Sequence, residues 1–197
     1  MIQKNLLIKL VGKQVQLAPL DESNFENLIS LSKEKQIWQH YVIDGSNTEN
    51  MQQSLEVALL EREKGTQYPF VILKLDDGEV IGSTRFLDIQ ENHKKLEIGW
   101  TWLHPNYWGT KINLECKMLL LTYCFEELSV QRVQLKTDEN NLRSRKAIEK
   151  IGGHFEGIIR NDMIRENGTK RNSALYSMID TEWQITKKQL EERINKA

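Results

Sequence analysis

Residues 96–115 read LEIGWTWLHPNYWGTKINLE, and the fold turns on how this stretch is parsed. It reads as a β-strand carrying one carboxylate, Glu97, then a Pro-Asn-Tyr-Trp-Gly-Thr turn over residues 105–110, then the start of an apolar helix. That order sets an acid/base group beside a helix N-terminus, where the first N–H groups lack intrahelical partners and the dipole favours anions such as phosphate. One segment therefore offers both a proton acceptor and a phosphate cradle.

Outward from it, Ile112, Cys116, Leu120, Cys124 and Leu128 form an i, i+4 ridge flanked by Leu119, Leu121 and Phe125, so this helix is expected to be central and mostly buried. Upstream, residues 70–75 and 79–89 are strand-like runs around Asp76-Asp77-Gly78, a hairpin signal because glycine supplies the positive φ of a tight turn. Residues 95–103 make the third strand of that group. Nearer the N-terminus, residues 14–20 alternate like a first strand, residues 21–35 follow as a helix capped near Asp21 or Ser23, and residues 48–64 are helical up to Gly65. An aperiodic loop with Trp38, His40, Tyr41 and Gly45 joins those two helices.

Downstream, residues 130–136 read as a strand and residues 141–151 as a short helix stopped by Gly152-Gly153. Residues 154–165 and 172–179 form a hairpin about Asn167-Gly168, and a charged helix over 181–195 is anchored by Trp183, Leu190 and Ile194. The expected product is one mixed α/β (α+β) domain over 1–197, its core at about 14–183, with element order β-α-α-β-β-β-α-β-α-β-β-α.

Bulk properties narrow the function. A formal net charge of -1 lacks the basic footprint through which phosphate attraction drives nucleic-acid binding, so no direct nucleic-acid partner is expected. The run from Leu6 to Val11 is interrupted by Lys9 and too short for a signal or a membrane span, so no membrane partner is expected either. Cys116 and Cys124, eight residues apart in an apolar helix, suit reduced core thiols and a cytoplasmic location. His40, His93, His104 and His154 lack ligand spacing, and no metal is expected.

Four motifs in order, Glu97-Ile98-Gly99-Trp100, Pro105-Asn106-Tyr107-Trp108-Gly109, Asn141-x-x-Ser144 and Gly152-Gly153-His154-Phe155-Glu156-Gly157, resemble the GNAT superfamily of acyl-CoA-dependent N-acyltransferases, and most closely its RimJ/RimL-type branch. The resemblance implies a mostly antiparallel central sheet, flanked by helices, whose central strands splay to admit pantetheine. It also implies acetyl-CoA as cofactor and an amine acceptor, either a protein N-terminus or a small molecule. A homodimer is suggested by family habit.

Carried onto this sequence, the resemblance assigns cofactor binding to Leu103, Trp108, Gly109, Thr110, Lys111, Ile112, Asn113, Asn141, Ser144 and Arg145. The phosphate loop departs from the glycine-rich family pattern: Trp108, Lys111 and Asn113 occupy its marked positions, and Gly109 alone supplies flexibility. A backbone N–H near Leu103 would polarise the thioester. Many relatives carry a tyrosine seven residues after the motif asparagine to protonate the leaving thiolate; here that residue is Ile148, which leaves Ser144 or Tyr176. Lys136 stands where some relatives have a carboxylate, so Glu97 becomes the expected base, acting on the amine through water. The bland alternative pairs Glu97 with a neighbouring cation.

Other residues keep two readings. Arg143, Arg145 and Lys146 crowd the first turns of a helix, where the dipole disfavours cations, so they either meet an anion or form a solvated face with Glu149 partnering Arg145. Asn141 either contacts pantetheine or caps its helix. Trp100 and Trp102 are expected on the strand face opposite Glu97, Gly99 and Thr101, as core or interface aromatics. Trp38 and Tyr41 line the acceptor pocket or else pack in the core. The leading expectation is an N-acetyltransferase transferring acetyl directly from acetyl-CoA to a primary amine; the competing class is a non-catalytic acyl-CoA-binding or regulatory module.

Overall fold

The computed structural model describes residues 7–195, so Leu6 of the first apolar run lies outside the described residues. Among the described residues eight strands form one sheet in the spatial order β1-β2-β3-β4-β5-β6-β8-β7. They are β1 (Leu10–Val11), β2 (Val15–Pro19), β3 (Tyr68–Lys74), β4 (Val80–Gln90), β5 (Lys95–Leu103), β6 (Arg132–Asp138), β7 (His154–Ile164) and β8 (Lys170–Ile179). The short β1, pairing with β2, is an addition to the expected order. Every neighbouring pair is antiparallel except β5 and β6, which run parallel.

Helices cover both faces, which lets each face bury its apolar alternation. On one, Leu28 of α1 (Phe25–Leu31) and Met51 and Leu55 of α2 (Thr48–Lys64) pack with Trp38 and Trp102. On the other, α3 (Ile112–Thr122), α4 (Leu142–Lys150) and α5 (Asp180–Asn195) contribute Ile112, Leu120, Ile148, Trp183 and Leu190 to a larger core. The predicted ridge of α3 is buried from Ile112 through Cys124, and the helix runs on through a π turn, Tyr123–Glu127. The α2 helix is bounded by local chemistry: the Asn47 side chain accepts from Glu49 N at 2.8 Å and Asn50 N at 3.1 Å, and Gly65 ends the helix at φ +79°. The helix expected over 21–35 is broken into a 3-10 turn, the shorter α1, and a second 3-10 turn at Lys35–Ile37.

Two irregularities create the central opening. The parallel β5–β6 ladder covers only Lys95–Glu97 against Arg132–Gln134, after which both strands continue without pairing to each other. In β5, the register against β4 shifts between the Arg85–Gly99 and Ser83–Trp102 pairs, and Trp100 sits at φ +50°. This is a β-bulge: one extra residue that bends the strand and raises its twist.

The bulge also reverses side-chain parity. Arg85 and Ser83 are two apart and share a face, so their partners Gly99 and Trp102 share it too. Trp102 therefore lies on the same face as Glu97 and Gly99, toward α1 and α2, and of Glu97, Gly99 and Thr101 only Thr101 turns toward α3. This corrects the expectation that the tryptophans oppose Glu97: simple alternation fails at a bulge.

Candidate active site

Past Glu97 the diverging ends of β5 and β6 wall a cavity of about 430 Å³. Its lining draws on Glu97 through Leu103 of β5, Leu135 through Asp138 of β6, the turn residues Tyr107, Trp108 and Gly109, and Asn113 and Lys117 of α3. The far wall comes from α4 and from the loop carrying His40 and Tyr41.

Glu97 lies at the closed end of the gap, 8% exposed. Its Oε2 accepts from Gln134 Nε2 at 3.0 Å and pairs with Lys136 Nζ at 3.4 Å. Gly99 makes room for this carboxylate, since a Cβ there would stand 3.0 Å from Glu97 Oε1 and 2.7 Å from Leu87 Cδ1. The pairing reading of Glu97 is thus realised, and the carboxylate nevertheless faces the cavity.

At the open end the turn delivers backbone donors. Gly109 adopts φ +75°, which only glycine takes without strain, and the amides of Gly109 and Thr110 donate to no other group among the described residues. Trp108 holds the turn against β5 by donating from Nε1 to the Leu103 carbonyl at 2.9 Å, and Arg143 lies 3.5 Å over its ring. Gly109, Trp108, Leu103 and Asn113 line the cavity. Thr110 does not; its hydroxyl donates to Tyr107 O at 2.7 Å and accepts from Ile112 N at 3.3 Å. Lys111 reaches the other way, with Nζ donating to Ile194 O of α5 at 3.0 Å, and Ile112 is a core residue. The unpaired amides, the positive-φ glycine and the open seam fit a diphosphate followed by a slender pantetheine arm. Of the residues around this turn, Trp108, Gly109, Asn113 and the amide of Thr110 would hold that group.

Along α4, Asn141 Oδ1 accepts from Ser144 N at 3.0 Å, so the capping reading holds, while Asn141 and Ser144 both line the cavity. Ile148, also at the cavity wall, carries no proton donor. Tyr176 is displaced from the role expected of it. It is fully buried beneath α4, accepts from Arg145 Nε at 3.0 Å, and donates to Glu149 Oε1 at 3.0 Å. Arg145 is occupied by the same contact, by Glu139 O at 3.2 Å, and by the Phe155 ring at 5.2 Å. Neither belongs to the cavity lining, because α4 folds its own polar residues onto β8. Arg143, not Arg145, faces the cavity.

In the α1–α2 loop, Tyr41 lines the cavity and donates to the Thr101 carbonyl at 2.7 Å; burial raises its phenol above the ordinary range. Trp38 does not line it. Its indole is buried, donates to Ser32 O at 2.7 Å, and packs 5.5 Å from the Trp102 ring, so the core reading is the right one.

Several cavity residues had no assignment from sequence. Lys117 is 6% exposed and donates to Thr101 Oγ1 at 2.6 Å. A lysine one turn after Asn113, on the ridge side of an apolar helix, was the available signal. Arg171 is 9% exposed, and its buried Nε lacks a hydrogen-bond partner among the described residues. Asp138, 1% exposed on its side chain, pairs with Arg165. His40 also lines the wall, its imidazole shifted below the ordinary value chiefly by burial. Both cysteines are buried, with the Cys116 thiol pushed up to about 12, so neither suits a nucleophile.

The acetyltransferase (GNAT) domain family matches residues 14–154. A Bacillus subtilis (strain 168) protein named "Putative ribosomal N-acetyltransferase YdaF" is 33% identical over 110 residues, covering 56% of this chain and 59% of that one; the match thus spans less than two thirds of the relative. Among solved structures, a GCN5-related N-acetyltransferase from Brucella melitensis superposes with a TM-score of 0.87 at 23% identity, covering 98% of this chain and 87% of that one. Mycobacterium smegmatis RimJ, solved in complex with CoA-disulfide, gives 0.77 at 19% identity over 91% and 88% of the two chains. These two likenesses concern the fold, and no helix among the described residues is long and apolar enough to cross a membrane. The open seam and the unpaired turn amides agree with the match over 14–154, and the chain belongs to the GNAT acetyltransferase family, with RimJ/RimL-type proteins among its likenesses.

Proposed function

We propose that this chain is an acetyl-CoA-dependent N-acetyltransferase acting by direct transfer to a primary amine, in the cytoplasm. The observation that carries this reading is the unpaired β5–β6 seam, with a buried carboxylate at its closed end and unpartnered turn amides at its mouth. When bound, acetyl-CoA supplies a thioester that a neutral amine can convert to an amide.

The chain's own residues prepare that exchange. Glu97 removes a proton from the incoming ammonium, directly or through water, while Lys136 and Gln134 fix the orientation of its carboxylate. The bulge at Trp100 interrupts the regular β4–β5 register beside the gap, and a β5 backbone N–H near Leu103 would serve as the preorganised donor for the carbonyl oxygen. Tyr41 and His40 shape the acceptor side, and Ser144 lies one helical turn before Ile148 on the opposite wall. The name carried by the B. subtilis relative favours a protein N-terminus as acceptor over a free small amine. A homodimer would use the edge strand β7, which exposes Phe155, Ile158, Ile159 and Ile164.

The test pairs thermal shift with free-thiol release. CoA at 100 times its Kd is expected to stabilise the fold by about 2.7 kcal/mol, and acetyl-CoA is expected to release thiol with peptide N-termini or small amines. Stabilisation without turnover on any acceptor would instead favour the acyl-CoA-binding module, and no stabilisation at excess CoA would end both readings.

A further inference from the structure

Glu97 and Lys117 reach the gap from opposite sides of the sheet. Glu97 lies on the α1–α2 face; Lys117 comes from α3 and meets Thr101, the residue that the bulge turns toward that helix. Thr101 Oγ1 is also 2.7 Å from Thr84 Oγ1, so a short hydroxyl chain holds the lysine in place. The Lys117 side chain is buried in the cavity wall on the same side as Asn113 and the turn amides. No carboxylate forms an ion pair with it among the described residues. A buried ammonium without a counter-ion is costly, so an unpaired one at this spot needs a reason.

We propose, resting on the acetyltransferase reading, that Lys117 is the proton donor to the departing CoA sulfur, filling the role left open by Ile148. As the acceptor nitrogen forms its bond to the acetyl carbon, the C–S bond breaks and its electron pair goes to sulfur. Lys117 Nζ gives that sulfur a proton. Glu97 passes the first ammonium proton to water before attack and takes the second as the C–N bond forms; that water returns one proton to Lys117, so each turnover releases one net proton to solvent. Amine attack on one side of the gap and thiolate departure on the other match the opposed placement of the two groups.

Burial pushes the Lys117 amine down to about 8, close to the ~8.5 of an ordinary thiol, and proton transfer works best between matched groups. The ionisable groups sharing the cavity are Asp88 of β4, Glu97 of β5, Tyr107 of the turn, Lys136 and Asp138 of β6, Arg143 of α4, Arg171 of β8, and His40 and Tyr41 of the loop. On α3 itself the nearest is the buried Cys116 thiol, and Glu115 is turned away to accept from the backbone N–H groups of Lys13 and Gln14.

The experiment titrates the ultraviolet thiolate absorbance of CoA bound to the wild type, Lys117→Met and Lys117→Arg, alongside thermal shift with CoA and pH profiles of turnover. In the wild-type complex the bound thiol should ionise below its value in Lys117→Met by up to ~1 pH unit, the direction expected beside a cation and small enough to keep sulfur and Lys117 matched for proton transfer. Lys117→Met should lose ~10²- to 10⁴-fold in turnover while keeping its CoA thermal shift. The wild-type profile should fall above about pH 8 as the donor deprotonates; in Lys117→Arg that fall should move to higher pH, with the thiol shift retained. Identical thiol titrations in wild type and Lys117→Met, or undiminished turnover, would overturn the proposal and leave the acetyltransferase reading standing. Wild type that binds no CoA would overturn both. Should Lys117→Met fail to fold, Lys117→Arg and Thr101→Val decide: an unmoved basic limb in both removes Lys117 from the chemistry.

Discussion

The closed and open halves of the β5–β6 seam treat charge in opposite ways. Where the strands pair, Arg132 meets Glu156 in a two-pronged contact that Ser177 completes at 2.7 Å, and at the last pair Glu97 has both Gln134 and Lys136. Where the strands part, Lys117 has only a hydroxyl, and Arg171 keeps a buried nitrogen with no partner among the described residues. The paired half satisfies its charges and gains stability. The parted half leaves cations short of anions, an arrangement a folded chain sustains at a cost and one that suits the approach of anionic ligands and transient charge.

The sharpest way to break this contrast is at the junction. Glu97→Gln should lower turnover by ~10²- to 10⁴-fold in a thiol-release assay, with unchanged CoA stabilisation; full turnover across pH would reduce Glu97 to a partner of Lys136. Next in size, Gly109→Val forces a β-branched residue to φ +75° with no steric neighbour to blame. A left-handed residue costs about 1–2 kcal/mol, so CoA should bind about tenfold more weakly by calorimetry, with the closed half untouched.

In the closed half, Arg132 holds the Glu156 carboxyl down to about 2. A depressed folded value means that the contribution is complete above the ordinary ~4.3 of glutamate and is lost as pH falls from there toward 2. Glu156→Gln should therefore cost about 1 kcal/mol at neutral pH, a figure reduced for the pair's partial exposure. Urea titrations should show the mutant penalty shrinking between about pH 4.3 and 2; a constant penalty would locate the effect in packing. Smallest of all, Tyr176→Phe should leave turnover unchanged and cost about 1 kcal/mol of stability, because its hydroxyl is spent between Arg145 and Glu149. A large kinetic defect would return Tyr176 to the site.

Much of the frame was legible because its signals are local. Thr48–Lys64 and Lys95–Leu103 have the bounds the sequence reading gives them, the first set by Asn47 and Gly65 and the second by a run of strand-forming residues between turns. The turn at Gly109 announced its own geometry. What stayed hidden depends on contacts between distant segments. No local rule places a tryptophan at φ +50°, so the parity change at Trp100 was invisible and both tryptophans were assigned to the wrong side of Glu97. Tyr176 and Arg145 looked available because nothing in the sequence reveals that α4 lies over β8. Trp38 looked like a pocket aromatic until Gly45, whose added Cβ would stand 2.6 Å from the indole, showed how tightly that loop closes on it.

The extra residue at Trp100 works like a shift of reading frame written in space. Residues before it are dealt to one pair of faces and residues after it to the reverse, so Glu97 and Thr101, which plain alternation would align, look out on different compartments. Deleting one residue there would preserve nearly every side chain's chemistry and still scramble its address: Thr101 would swing toward α2 and strand Lys117 among apolar neighbours. In this molecule the length of a strand segment is itself a functional element, as exacting as any side chain it carries.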